Sequence, residues 1–122
     1  MKSLNPLILL SSLGIAFLLP INSNASITRT YHFPPNQPVT IQNPLYWDLD
    51  THCRISSDDD ADRLEGTMVH KNGKINGVRL KQGQNVSVTV HPDEDFHLQA
   101  EYKAVVQITN YGNSTVSAKC RI

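Results

Sequence analysis

From Ile27 onward apolar and polar residues alternate along the chain, with a period of two in almost every segment. That period belongs to strands with one face in a core and the other in water. It is plainest over Leu45-Tyr-Trp-Asp-Leu-Asp-Thr-His-Cys-Arg-Ile55. Leu45, Trp47, Leu49, Cys53 and Ile55 share one parity with Thr51 and are expected to face inward. Tyr46, Asp48, Asp50, His52 and Arg54 fall on the other parity and are expected to face out.

The pattern predicts seven or eight strands. Ile27, Tyr31 and Phe33 begin the first, which Pro34, Pro35 and Pro38 interrupt because proline cannot donate to a ladder. Val39 and Ile41 mark the second, ended by Asn43-Pro44, and 45–55 is the third. Further strands are expected at 64–71, 75–81, 85–91, 100–109 and 116–122. Asn72-Gly73 reads as a hairpin turn because both residues tolerate positive φ. Asn76-Gly77 reads as a bulge or second turn, and 110–113 as a hairpin into the last strand. The sole helical expectation is one turn over 57–63 with Ser57 as its N-cap. One apolar face per strand requires two sheets packed together, since a lone sheet would leave that face wet. The expected fold is therefore all-β, an antiparallel β-sandwich forming a single domain over 26–122.

Residues 1–25 read separately, as a cleaved signal peptide. Lys2 gives a positive start, Leu7 to Ile21 an apolar run, and Ser23 and Ala25 the small residues needed three and one positions before a cut after Ala25. At about 15 residues the run is shorter than the roughly 20 of a membrane span, and no second run follows. The processed chain is thus expected to be secreted or periplasmic, with no integral membrane segment. In such an oxidising compartment Cys53 and Cys120 predict a disulfide. Both lie on inward parities, so the bond should be buried and should tie an early strand to the last. Closing a loop of roughly 68 residues removes about 4 kcal/mol of denatured-state entropy. By its strand count and wide Cys53–Cys120 span the chain resembles the immunoglobulin-like class of exported sandwiches, which implies that architecture. It departs from antibody-type domains in that Trp47 precedes Cys53 on the same strand.

Charge narrows the function. Eleven Lys and Arg balance eleven Asp and Glu, and loss of Lys2 would leave a slight acidic excess. A chain without a basic run is not expected to bind nucleic acid or to be held electrostatically on anionic lipid. The outward row Tyr46, Asp48, Asp50, His52 and Arg54 suits recognition of a protein or surface glycan, and Tyr46 and Tyr111 add interface-like composition. Residues two apart on a strand lie about 6.6 Å apart, so Asp48 and Asp50 approach a glycosidase-like carboxylate spacing, with Asp50 able to orient His52 as a base. No nucleophile motif accompanies them. A hydrolase is therefore the weaker alternative, and a non-enzymatic binding module is the expectation.

Two clusters bear on metals, and no other cofactor is expected. Asp58, Asp60 and Asp62 match positions 1, 3 and 5 of a calcium loop. Arg63 and Val69 then stand where that loop requires Gly and a bidentate Glu, so only a looser calcium site remains open. His91, Asp93, Asp95 and His97 offer nitrogen and oxygen donors to zinc or copper within seven residues. Three expected strands separate these two acidic loops, which places them at opposite ends of the sandwich. Asn85 and Asn113 head glycosylation sequons that matter only on a eukaryotic secretory route. Nothing in the pattern specifies the oligomeric state.

Overall fold

The computed structural model describes residues 27–122; the signal peptide read at 1–25 lies outside the described residues. Ten strands follow one another, and no helix occurs among the described residues. They are β1 (Thr28–Phe33), β2 (Pro38–Gln42), β3 (Leu49–Ser56), β4 (Asp62–His70), β5 (Gly73–Ile75), β6 (Val78–Leu80), β7 (Asn85–Val90), β8 (Asp95–Ala100), β9 (Val105–Asn110) and β10 (Val116–Arg121). One sheet has the order β1-β10-β3-β8-β5-β6 and the other β2-β9-β4-β7. Where the period of two is strict, burial follows it: Leu49, Thr51, Cys53 and Ile55 of β3 are buried and the residues between them exposed. Ile55, Leu64, Met68, Ile75, Val90 and Val116 fill the space between the sheets.

The pairing is nested. β1 pairs with β10, β2 with β9, β3 with β8, β4 with β7 and β5 with β6, all antiparallel. The chain is one long antiparallel ribbon doubled back at the β5–β6 hairpin and folded over, so that successive rungs lie in alternate sheets. Lateral pairing of β10 with β3, β9 with β4 and β8 with β5 closes each sheet. Such winding is that of a jelly roll. The antiparallel sandwich agrees with the alternation, whereas the connectivity differs from the immunoglobulin-like one. Cys53 and Cys120 form the expected buried disulfide, with Cα atoms 4.0 Å apart, but between directly opposed residues of one sheet. In antibody-type domains the bond ties one sheet to the other.

Several local expectations are corrected for identifiable reasons. The segment 110–113 is not a hairpin, since β9 and β10 belong to different sheets. Buried Asn110 shapes this crossing: its Nδ2 donates to the carbonyls of Phe33 and Ser114, both at 2.8 Å, and its Oδ1 accepts from Gly112 N at 2.7 Å. The side chain thereby replaces the ladder bonds that the backbone forgoes. The strand expected over 100–109 is cut at Glu101–Ala104, where Lys103 has a φ of 66° and Ala104 N donates back to Glu101 O. The tight hairpin falls at Asn76-Gly77, with φ values of 49° and 84°, and not at Asn72-Gly73. Gly73 lies within β5 opposite Ala100, where a Cβ would collide with the Gln99 carbonyl.

Trp47 is the largest departure. The strand expected from residue 45 starts at Leu49, and Trp47 is 64% exposed. Buried Asn43 bends the chain before it. Its Oδ1 accepts from Leu45 N, while its Nδ2 donates to the carbonyls of Trp47, Ala100 and Glu101. Alternation has no meaning for a backbone that is not extended, so Trp47 turns outward. The 57–63 segment forms no helix; Ser57 Oγ accepts from Asp59 N in a turn, and β4 already begins at Asp62.

Candidate functional site

β3 and β8 run side by side within the six-stranded sheet, and their register sets Asp50 opposite Gln99, His52 opposite His97, and Arg54 opposite Asp95. All six side chains project from the outer face because their neighbours in sequence fill the core. Each histidine reaches diagonally across the ladder to the aspartate on the other strand. His97 Nε2 lies 2.6 Å from Asp50 Oδ1, and His52 Nδ1 lies 2.7 Å from Asp95 Oδ2. The two imidazoles stack, with centroids 4.1 Å apart and planes 10° from parallel. Gln99 Nε2 donates to the second Asp50 oxygen at 3.3 Å. The result is a reciprocal quartet built from two Asp-x-His triplets, Asp50-Thr51-His52 and Asp95-Phe96-His97, on antiparallel neighbours.

Three of the residues singled out on 45–55, namely Asp50, His52 and Arg54, do share the outer face of β3. Tyr46 and Asp48 belong to the bent segment before it. Asp48 Oδ1 accepts from Tyr102 N at 2.9 Å and so pins that segment to the β8–β9 turn. The structure divides the expected His91, Asp93, Asp95 and His97 cluster. His91 stays in the β7–β8 turn, where its backbone and ring both meet Glu94, while Asp93 takes a left-handed φ of 64°. Asp95 and His97 join β3 residues instead. Among the described residues, Asp50, His52 and His97 are the one group of three ligand-bearing side chains whose donor atoms all lie within 4.8 Å of one another. The signal for this was present as the repeated Asp-x-His triplet, but only the register makes it a cluster.

An apolar cleft of about 460 Å³ adjoins the quartet, lined by Ile27, Leu45, Trp47, Leu49 and Ile122, with Asp48 and Asp50 on its polar side. Ile27 and Ile122 exchange backbone hydrogen bonds, which brings the two ends of the ribbon together there. Tyr46, 84% exposed, stands next to Trp47. Tyr111 is differently placed: Arg63 lies over its ring at 4.4 Å and its hydroxyl donates to Glu65.

The expected calcium ligands are not grouped either. Asp58 and Asp60 point to solvent, while Asp62 is only 2% exposed and sits beside Asp59. Ser57 Oγ donates to Asp62 Oδ2 at 2.6 Å, and Asp62 Oδ1 has no hydrogen-bond partner of good geometry among the described residues. Burial pushes the Asp62 carboxyl above the ordinary carboxylate value; the Ser57 hydrogen bond opposes this, and the neighbouring Asp59 charge adds to it. Asp59 is held below its ordinary value, first by the hydrogen bond from Asp62 and then by Ser114 and Asn113. The acidic loop also lies at the same end as the β7–β8 turn, whose Asp93 N and Glu94 O bond Ile55. The count that placed them at opposite ends fails because β5 and β6 are a short out-and-back hairpin.

The described residues contain no helix long and apolar enough to cross a membrane. Compared with known proteins, the chain matches no family model, no curated protein and no solved structure at a significant level.

Proposed function

We propose that this chain is an exported, non-enzymatic binding module. It engages another protein through the Leu45–Asp48 segment and the adjoining outer face of β3. The observation that carries this reading is Trp47, the only tryptophan in the chain, held 64% exposed beside an apolar cleft. Tryptophan and tyrosine are the side chains that most often anchor protein interfaces, because they bury a large apolar area at little rotamer cost. Here Trp47 and Ile27 line one apolar cleft with Asp48 and Asp50 on its polar side, exposed Tyr46 precedes Trp47 in the chain, and His52 and Arg54 continue the charged face along β3. A hydrophobic centre with a polar rim is the usual anatomy of such a surface. Export is supported by the Cys53–Cys120 disulfide, which persists in oxidising compartments.

Against a hydrolase, Asp48 is committed to the Tyr102 backbone, and the Asp50 carboxylate is engaged by His97 and Gln99, not His52.

The test compares wild type with Trp47→Ala and Arg54→Glu, each used to capture partners from the exported fraction of its own cells. The partner retained by wild type should bind Trp47→Ala at least about thirtyfold more weakly, the loss expected for an interface anchor. Melting temperatures should stay within about 4 °C, since neither side chain is in the core. Undiminished capture by both variants would refute the reading. An oligosaccharide retained in a Trp47-dependent manner would replace the protein partner with a glycan.

A further inference from the structure

We propose that Asp50, His52 and His97 bind one divalent transition cation of the zinc–copper class, with Asp95 holding the His52 ring in place. This goes beyond the protein-binding reading and does not depend on it.

The donors are two imidazole nitrogens and a carboxylate oxygen, and their atoms already lie within 4.8 Å of one another. A tetrahedral zinc with bonds of 2.0–2.1 Å places its ligand atoms roughly 3.3 Å apart. The remaining closure is a matter of rotation at Asp50, which is 61% exposed, and at the His97 ring, while Asp95 keeps His52 in place. The contact between His97 Nε2 and Asp50 Oδ1, 2.6 Å at present, opens slightly when a cation takes the place of the hydrogen bond. The two rings stack face to face over the same patch of sheet, with centroids at 4.1 Å, and because a metal lies in the plane of each imidazole it ligates, the His97 ring tilts out of the stack on binding.

The donor set selects the class of ion. Two imidazoles with one carboxylate suit zinc or copper, whereas calcium needs six to eight oxygens and finds one ligand carboxylate here. Asp95 supplies the support that metal-binding histidines usually have: a carboxylate on one ring nitrogen fixes the ring and raises the basicity of the other. Rigidity comes from the sheet. β3 is hydrogen-bonded on both sides, to β8 and to β10, and the residue after His52 is disulfide-bonded Cys53. The outer side of the site is open to solvent, so water completes the coordination.

The experiment is a calorimetric titration of zinc chloride into EDTA-treated, disulfide-intact protein, with the histidine ring resonances followed by NMR. One zinc per chain is expected, with the His52 and His97 rings shifting and the His91 ring unmoved. Asp95→Asn should weaken binding about 10–100-fold, and His52→Ala or His97→Ala should weaken it further still. His91→Ala should bind as wild type, and equimolar calcium should not displace the zinc. The proposal is overturned if millimolar zinc moves neither ring in the wild type, which no folding defect can explain. It also fails if His52→Ala and His97→Ala bind normally, if His91→Ala abolishes binding, or if calcium displaces the zinc.

Discussion

Replacing Cys53 and Cys120 together by alanine is expected to destabilise the domain by about 4 kcal/mol, the largest effect we anticipate for any change here. The bond spans 67 residues, and cross-linking a loop of that size removes about this much free energy of chain disorder from the unfolded state. In a domain of this size each kcal/mol moves the melting point by about 4–8 °C, so a drop of roughly 15–30 °C should follow. The winding makes the bond matter more than its area. β3 belongs to the first half of the ribbon and β10 is its last strand, so Cys53–Cys120 brings together segments that must otherwise find each other across most of the chain. Thermal and urea melts of the wild type, with and without reductant, and of the double variant would measure this. The urea slope should also rise once the cross-link is gone, because a freer unfolded chain exposes more surface. Oxidised and reduced forms melting within about 3 °C of each other would contradict the entropic account.

Asp62→Asn should stabilise the protein at pH 7 and flatten its pH dependence. The folded state raises the Asp62 carboxyl because the backbone closes over it: a Cβ at Gly112 would overlap Asp62 Oδ1, leaving no room for hydration. A carboxyl raised in the folded state retains its proton where the unfolded chain has released it. Its stability contribution is therefore complete below the unfolded value and is lost as pH rises through the folded one. Asp59 has the opposite sign, since its folded value is lowered and its contribution is lost as pH falls. Asparagine keeps an acceptor for Ser57 and carries no charge to bury. We expect a gain of about 1–2 kcal/mol at pH 7, the scale of the desolvation cost that a buried polar group carries and that the neutral amide lessens, shrinking toward pH 3. Urea midpoints measured across pH 3 to 8 would check it. An Asp62→Asn variant less stable than wild type at pH 7 would mean that the ionised carboxylate has a partner after all.

The chemistry of the two sites was legible to different depths. His97 and Asp95 stood out in sequence because they lie near His91 and Asp93, but proximity along the chain was the wrong criterion. The turn at Pro92–Glu94 separates those pairs, and the ladder joins Asp95 and His97 to residues more than forty positions away. Asp59 carried no signal in a pattern keyed to alternate residues, since its approach to Asp62 depends on how a non-repetitive loop turns. Trp47 departs from the alternation for a related reason: the one Asn43 side chain, donating to three carbonyls and accepting from Leu45 N, overrides the strand parity of the residues that follow.

By itself, the sequence determined that the domain is an antiparallel sandwich, which residues of β3 turn inward, and that Cys53 and Cys120 are buried together. Those properties follow from a side-chain period of two and from the cost of leaving one apolar face per strand in water, both of which are local. Only the tertiary structure decided the order of the strands, because an arch between sheets and a hairpin within one leave the same alternation in the residues on either side. Strand order in turn sets the β3–β8 register. That register brings His52 over His97 and gives each histidine the other strand's aspartate.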